Sequence, residues 1–318
     1  MLKILIVETA KLSRRSTVAH VRNSYALHQI LSSKFECDLV DLGMDYDVTK
    51  QYDYMMFSYA GMGCNYDNID KLIENQKDCR IGWVTNEFEL FANDYVKKKM
   101  DFIVTNFESH GIKKAHKYKD HLMVNLNTLI FDGINQRVDK KYDVCYFGTY
   151  RKYRECYFQK YLKGGVVLST TKKNFKKFID LGLTCNVTDK FHVVSGEETL
   201  NLFRATLYIE DTKTHGCFNH MANRFYEALQ CNTALFFDRS CMNTIDRDAY
   251  VIDDYFIVDS YDELMGKVYN LDMNKLSDYT QANARIVEKE REKTSDSLIG
   301  FFEGMSQYNC EHSQSYLF

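Results

Sequence analysis

Proline is absent from this 318-residue chain. An average usage of about 5% would give around sixteen. Loops must therefore be found from Gly, Asn and Asp alone. Tyr and Phe are abundant instead, as are Lys and Asn, a bias that AT-rich coding produces. None of the ten cysteines is spaced Cys-x-x-Cys, which argues against zinc ribbons and thioredoxin-type redox motifs. No apolar run approaches the roughly 20 residues needed to span a bilayer, so no membrane partner is expected. Met1 leads straight into the strand-like Lys3–Val7 with no secretory signal. The thiols are therefore expected to be reduced and the location cytoplasmic. A net charge of −3 rules out a surface that is basic throughout. Two Asp-x-Asp pairs occur, Asp45/Asp47 and Asp246/Asp248. Both read as turn or surface carboxylates, and no metal ligands are assigned.

What is present is ample core material, 45% hydrophobic residues, in a chain long enough for two domains. Short apolar runs predict strands at Lys3–Val7, Asp38–Leu42, Tyr54–Ser58, Arg80–Thr85, Phe102–Thr105 and Leu122–Leu126. A second series is predicted at Asp143–Phe147, Gly165–Ser169, Thr206–Glu210 and Ala234–Asp238, with short pieces near Val251 and Ile257. Amphipathic stretches such as Asn23–Ser33 and Ile69–Gln76 lie between them. Strands alternating with helices imply parallel sheets covered on both faces. The reading is α/β, with one domain over 1–138 and another over 139–290. Asp132–Lys141 serves as the linker. A charged helix, Asn283–Ser295, and an aromatic tail close the chain, and residues 291–318 are expected to pack back on the first domain.

Ligands of open α/β sheets sit outside the carboxyl ends of the strands. The Asp143–Phe147 strand exits into Gly148-Thr149-Tyr150-Arg151-Lys152-Tyr153-Arg154. A glycine opens the turn, and Arg151 and Arg154 follow at the predicted start of a helix. Free N–H groups and two guanidiniums there make a diphosphate clamp. Later, Arg224 and Glu227 stand three apart on a predicted helix, hence on one face. A cation for phosphate beside a carboxylate for sugar hydroxyls suits a nucleotide-sugar. The solvated-surface reading of either motif alone is the more common one; together they favour a site.

These motifs resemble those of GT-B glycosyltransferases, and among them the DNA β-glucosyltransferases of T-even phages. Tyr146 to Arg151 resembles that family's glycine–arginine turn, and Arg154 its second arginine with a one-residue gap. Ala222 to Ala228 resembles its Arg-x-x-Glu helix. The similarity extends through Phe102–Asp132 and Asp254–Leu271. It implies two Rossmann-like doubly wound domains facing across a cleft, an acceptor domain first and a nucleotide-sugar domain second. By resemblance, Gly148 lets the backbone approach the diphosphate, and Arg151, Arg154 and Arg224 bind its oxygens. Glu227 accepts from the ribose hydroxyls, and the uracil lies near Phe191–Val194. The donor is a UDP-sugar. A divalent metal is not required by the sequence, Mg2+ being the ion left open.

Two positions depart from the family. Asn86 stands where the family has its catalytic aspartate, and an amide cannot act as a base. The adjacent Glu87 is the expected base. Asn23 stands where the family has a sugar-contacting glutamate, so the donated sugar is glucose or another such as arabinose. The implied acceptor is the hydroxymethyl group of a modified pyrimidine in double-stranded DNA, in a host cytoplasm if the gene is a phage's. Arg14-Arg15, Lys97–Lys99 and Lys113-Lys114 would meet phosphates. Tyr59, Phe88, Phe91 and Tyr95 would face an extruded base. Two alternatives stand beside this one: a bacterial GT-B enzyme glycosylating an envelope glycan, protein or small molecule, and an inactive protein that binds nucleotide-sugar or modified DNA. The oligomeric state is open.

Overall fold

The computed structural model describes residues 1–9, 11–12, 19–42, 49–58, 66–85, 98–106, 120–135, 139–188, 200–210, 221–243, 245 and 249–314. The chain divides into two units, Met1–Ile130 with Glu290–Phe318, and Phe131–Lys289. The segment expected as a linker is tied to the second unit. Asn135 N–H donates to Gln230 O at 2.7 Å, and Lys141 N–H donates to Leu202 O at 2.7 Å.

The first unit is built on β1 (Lys3–Glu8), β2 (Glu36–Asp41), β3 (Tyr54–Ser58), β4 (Arg80–Thr85), β5 (Phe102–Thr105) and β6 (Asp120–Met123). They form one sheet in the order β2-β1-β3-β4-β5-β6, and every pairing is parallel. Helices α1 (Ala19–Leu31) and α2 (Tyr66–Glu74) connect strands within it. β3 is buried at all five positions, as a strand covered on both faces must be. Its core joins Ile4, Ile6, Leu27, Tyr54, Phe102 and Val104 to Leu298, Phe302 and Met305 from the end of the chain. Phe302 lies edge-on to Tyr54 at 5.3 Å and to Phe102 at 5.7 Å between ring centroids. Gly82 in β4 makes room for this cluster. A Cβ there would come within 2.1 Å of the Phe102 ring.

The second unit is built on β7 (Tyr142–Phe147), β8 (Val166–Ser169), β9 (Asn186–Thr188), β10 (Phe203–Tyr208), β11 (Ala234–Asp238) and β12 (Ile257–Val258). The order is β12-β11-β10-β7-β8-β9, again parallel throughout. Its helices are α3 (Glu155–Tyr161), α4 (Lys172–Ile179), α5 (Asn223–Gln230), α6 (Tyr261–Tyr269) and the start of α7 (Met273–Gln314). Helix α7 is far longer than the expected Asn283–Ser295, and from Glu290 onward it belongs to the first unit. Val251 is not in a strand. No helix among the described residues is long and apolar enough to cross a membrane.

Each sheet has one place where strand order reverses. In the second unit the chain runs outward through β7, β8 and β9, then returns to lay β10 on the other side of β7. In the first unit β1 lies between β2 and β3. Loops diverge at such points and leave a crevice beyond the strand ends.

Candidate functional site

The β7/β10 switch point collects most of the residues that the sequence singles out. Gly148 follows β7 directly. Its N–H donates to Ser169 O at 3.1 Å, and its carbonyl accepts from Thr170 Oγ1 at 2.7 Å. Both faces of this backbone turn are thus pinned to the end of β8. A Cβ on Gly148 would sit 3.0 Å from the Tyr146 hydroxyl and 3.2 Å from its ring. The glycine keeps the turn close to a fully buried tyrosine.

Arg151 precedes a 3-10 turn, Lys152–Arg154, which leads into α3. Arg151 is exposed, whereas Arg154 is buried. The chain alternates them outward and inward, so they do not point together. Arg154 Nη2 donates to Glu210 Oε2. Arg224, on α5, donates from Nε to the other oxygen of the same carboxylate at 2.8 Å. Its Nη1 donates to Phe147 O at 3.3 Å and Leu207 O at 3.4 Å. The guanidinium lies over the Tyr146 ring, 5.0 Å from its centroid, and near the Phe147 ring at 5.6 Å. Stacking and edge-on hydrogen bonds fix a planar fork in one orientation.

Glu210 is the residue that sequence reasoning missed. It lies two residues beyond β10, with a side chain 5% exposed. Each arginine side chain it holds is 10% exposed. Burial opposes the Arg224 charge, but the Glu210 carboxylate outweighs it and holds its pKa above the usual arginine range. Cys241 braces the Glu210 backbone. Its thiol, pushed up to about 12 by burial, donates to Glu210 O at 3.5 Å and to Tyr208 O at 3.6 Å. Tyr208 OH in turn accepts from Ala222 N–H, just ahead of α5, at 2.8 Å.

Helix α5 presents no solvent-exposed face over its last seven residues. Every residue from Arg224 to Gln230 is buried, so Glu227 is enclosed along with the apolar side. The partner of Arg224 is Glu210, 14 residues earlier, and not Glu227. Asp238, the carboxylate that ends β11, belongs to a separate cluster. It accepts from Lys160 Nζ at 2.7 Å, Tyr161 OH at 2.5 Å, and Ser240 N–H and Oγ at 3.0 and 2.5 Å. Burial alone would raise its carboxyl; the bonds from Lys160, Ser240 and Tyr161 hold it below the usual carboxylate range. With its oxygens engaged by four donors, Asp238 serves the fold.

In the first unit, Asn23 lies on α1 and is buried, and its Oδ1 has no hydrogen-bond partner among the described residues. The neighbouring Ser24 Oγ donates to Glu8 Oε2 at 2.7 Å. Glu8 ends β1, opposite Ser58 of β3, so it stands at the switch point of this sheet. Asn86, Glu87, Phe191–Val194, the Asp45/Asp47 and Asp246/Asp248 pairs, and the aromatics Tyr59, Phe88, Phe91 and Tyr95 lie outside the described residues. So do Arg14, Arg15, Lys97, Lys113 and Lys114. Among the described residues no group of three or more His, Cys, Asp or Glu side chains could hold a metal ion.

Neither protein-family models nor curated proteins return a match to this chain. Solved structures do. A DNA-modifying enzyme, β-glucosyltransferase, solved with and without its substrate uridine diphosphoglucose, superposes with a TM-score of 0.69 at 18% identity. The match covers 95% of this chain and 99% of that one. The T4 phage enzyme of that name in complex with UDP-glucose gives 0.65 at 17% identity over the same shares. Its complex with UDP and Mn2+ gives 0.67 at 17%. The fold of this chain, two six-stranded parallel α/β sheets, is the GT-B fold and resembles that of the phage enzyme.

Proposed function

We propose that this chain is a UDP-sugar-dependent glycosyltransferase. Its acceptor is the hydroxymethyl group of a modified pyrimidine in phage DNA, and its donor carries glucose or another sugar such as arabinose. The observation that carries the reading is the pair of buried guanidiniums, Arg154 and Arg224, oriented at the switch point beside the Gly148 turn. Similar solved enzymes bind UDP and UDP-glucose and modify DNA, which supports the donor class and suggests the acceptor.

The reaction is a displacement at the anomeric carbon. The acceptor oxygen forms a bond to that carbon as the bond to the UDP oxygen breaks. The acceptor proton passes to a base, which we assign to Glu87, with Asn86 beside it. Negative charge grows on the departing diphosphate, where we assign the buried Arg154 and Arg224 to stabilise it, with Arg151 approaching separately from the exposed turn. Glu227 is assigned to the ribose hydroxyls and Asn23 to the donated sugar. An asparagine amide offers both donor and acceptor atoms, so it suits a different hydroxyl pattern from a carboxylate. The neighbour with Mn2+ raises the question of a metal. The described residues offer no donor set for one, so no step is assigned to it.

Incubation with a panel of UDP-sugars and hydroxymethylated duplex DNA, followed by mass spectrometry of the nucleosides, tests the whole reading. A mass increment on the hydroxymethyl pyrimidine is expected. An increment only on non-nucleic acceptors would move the reading to an envelope or small-molecule GT-B enzyme. UDP-sugar or DNA binding without any increment would favour an inactive binding protein, which the amide at Asn86 specifically supports.

A further inference from the structure

The buried Arg154–Glu210–Arg224 triad is weak evidence of a stability device. Removing three charges from water can cost more than their contacts return, and apolar side chains of similar volume often hold a core as well. The triad also spends two arginines and a carboxylate at the one place in this sheet where the topology opens a crevice. A perturbed, buried charge cluster there points to function before structure.

We infer that Glu210 is a positioning residue. It sets the orientation of the two guanidiniums that face the diphosphate and does not itself touch the donor. The inference rests on the nucleotide-sugar reading above. Each oxygen of Glu210 takes one guanidinium, Arg224 at 2.8 Å through Nε and Arg154 through Nη2. The two arginines come from different elements, the turn after β7 and helix α5, and carry like charges. Without a carboxylate between them they would repel, and each would regain its rotamer freedom. Arg224 is additionally seated by the Phe147 and Leu207 carbonyls and by the Tyr146 ring. Arg154 is held to the other oxygen of the same carboxylate as its ion-pair partner, so Glu210 couples the aim of the two arginines. Fixing both forks before the ligand arrives removes an ordering cost from binding.

Glu210→Gln keeps the side-chain shape and removes the charge. Binding of UDP and of uridine is measured by calorimetry on the folded full chain, alongside a melting curve. UDP affinity is expected to fall about tenfold or more, while uridine affinity stays unchanged, because uridine has no phosphate for the arginines to hold. A double-mutant cycle sharpens this. Arg154→Lys should weaken UDP binding strongly in the native background and little in the Glu210→Gln background. If Glu210→Gln does not fold, Glu210→Asp, which keeps the charge and shortens the reach, should show the same split between UDP and uridine. Unchanged or tighter UDP binding overturns the proposal, as does equal loss of UDP and uridine binding or an additive cycle. A native chain that binds neither ligand overturns the nucleotide-sugar reading first, and this proposal with it.

Discussion

At the β7/β10 switch point two guanidiniums converge on one carboxylate, whereas at the β1/β3 switch point a carboxylate meets a hydroxyl beside an amide. The two sheets share architecture, six parallel strands and one reversal of order each. Among the described residues, the ends of β7 and β10 and the end of β1 carry different chemistry. At one, two arginines from different elements share the Glu210 carboxylate beside the Gly148 turn. At the other, Ser24 on α1 hydrogen-bonds the Glu8 carboxylate that ends β1, and the adjacent Asn23 is buried on the same helix. Topology supplies a crevice twice; the residues at the exits decide what each crevice can hold.

The contrast can be broken in order of expected effect. Glu87→Gln should lower turnover by about 10²–10⁴-fold, the usual contribution of a general base, and leave UDP affinity unchanged. UDP release assays and calorimetry read the two quantities separately. Turnover that survives would remove Glu87 from the mechanism. Next, Arg224→Lys should weaken UDP binding by about thirtyfold, because an ammonium cannot reproduce a stacked fork with three acceptors. Asn23→Ala should instead spare UDP affinity and alter which UDP-sugar is used. If both variants changed UDP affinity alike, the division of labour between the switch points would be wrong.

The third test concerns stability. Asp238→Asn should cost about 1–3 kcal/mol in chemical denaturation, since it removes the charge that the partly exposed Lys160 pairs with and leaves a buried amide poorly matched to its donors. The carboxyl is held below its usual range when folded, so its contribution is present above the unfolded value and lost as pH falls through the folded one. The smallest effect belongs to Lys140, whose pKa burial lowers to about 8. Its amine donates to Cys231 O at 2.8 Å and Thr233 Oγ1 at 3.0 Å. Between that value and the unfolded one, the unfolded chain holds a proton that the folded chain has released. Stability should therefore rise with pH across this window, and Lys140→Met should flatten the rise. A pH series of melting curves checks it.

Much of the scaffold was legible from the chain. β3, β4, β5 and β11 begin and end where the sequence predicted, around short runs with an apolar centre. β9 is only Asn-Val-Thr, too short and too polar for periodicity to register. β10 starts three residues earlier than the run suggested, because Phe203 and Arg204 pair or pack at the strand foot while Ile209 and Glu210 lie beyond it. In the site, Gly148, Arg154 and Arg224 announced themselves as motifs. Glu210 did not, because its meaning depends on β10 lying beside β7, a pairing between strands that are not consecutive. It is 56 residues from one partner and 14 from the other, and neither spacing is a local pattern. A charged residue directly after an apolar strand was the available signal.

The return of α7 into the first unit has a consequence for how the protein is made. Leu298, Phe302 and Met305 fill the same core as Ile4 and Tyr54, so this core waits for residues synthesised after the whole of the second unit. The second unit is one uninterrupted stretch, Phe131–Lys289, and has all its strands in hand earlier. On a ribosome adding about 5–20 residues per second, the first unit would stand incomplete for on the order of 10 s or more. Of the two units, the one started earlier is then the one completed later.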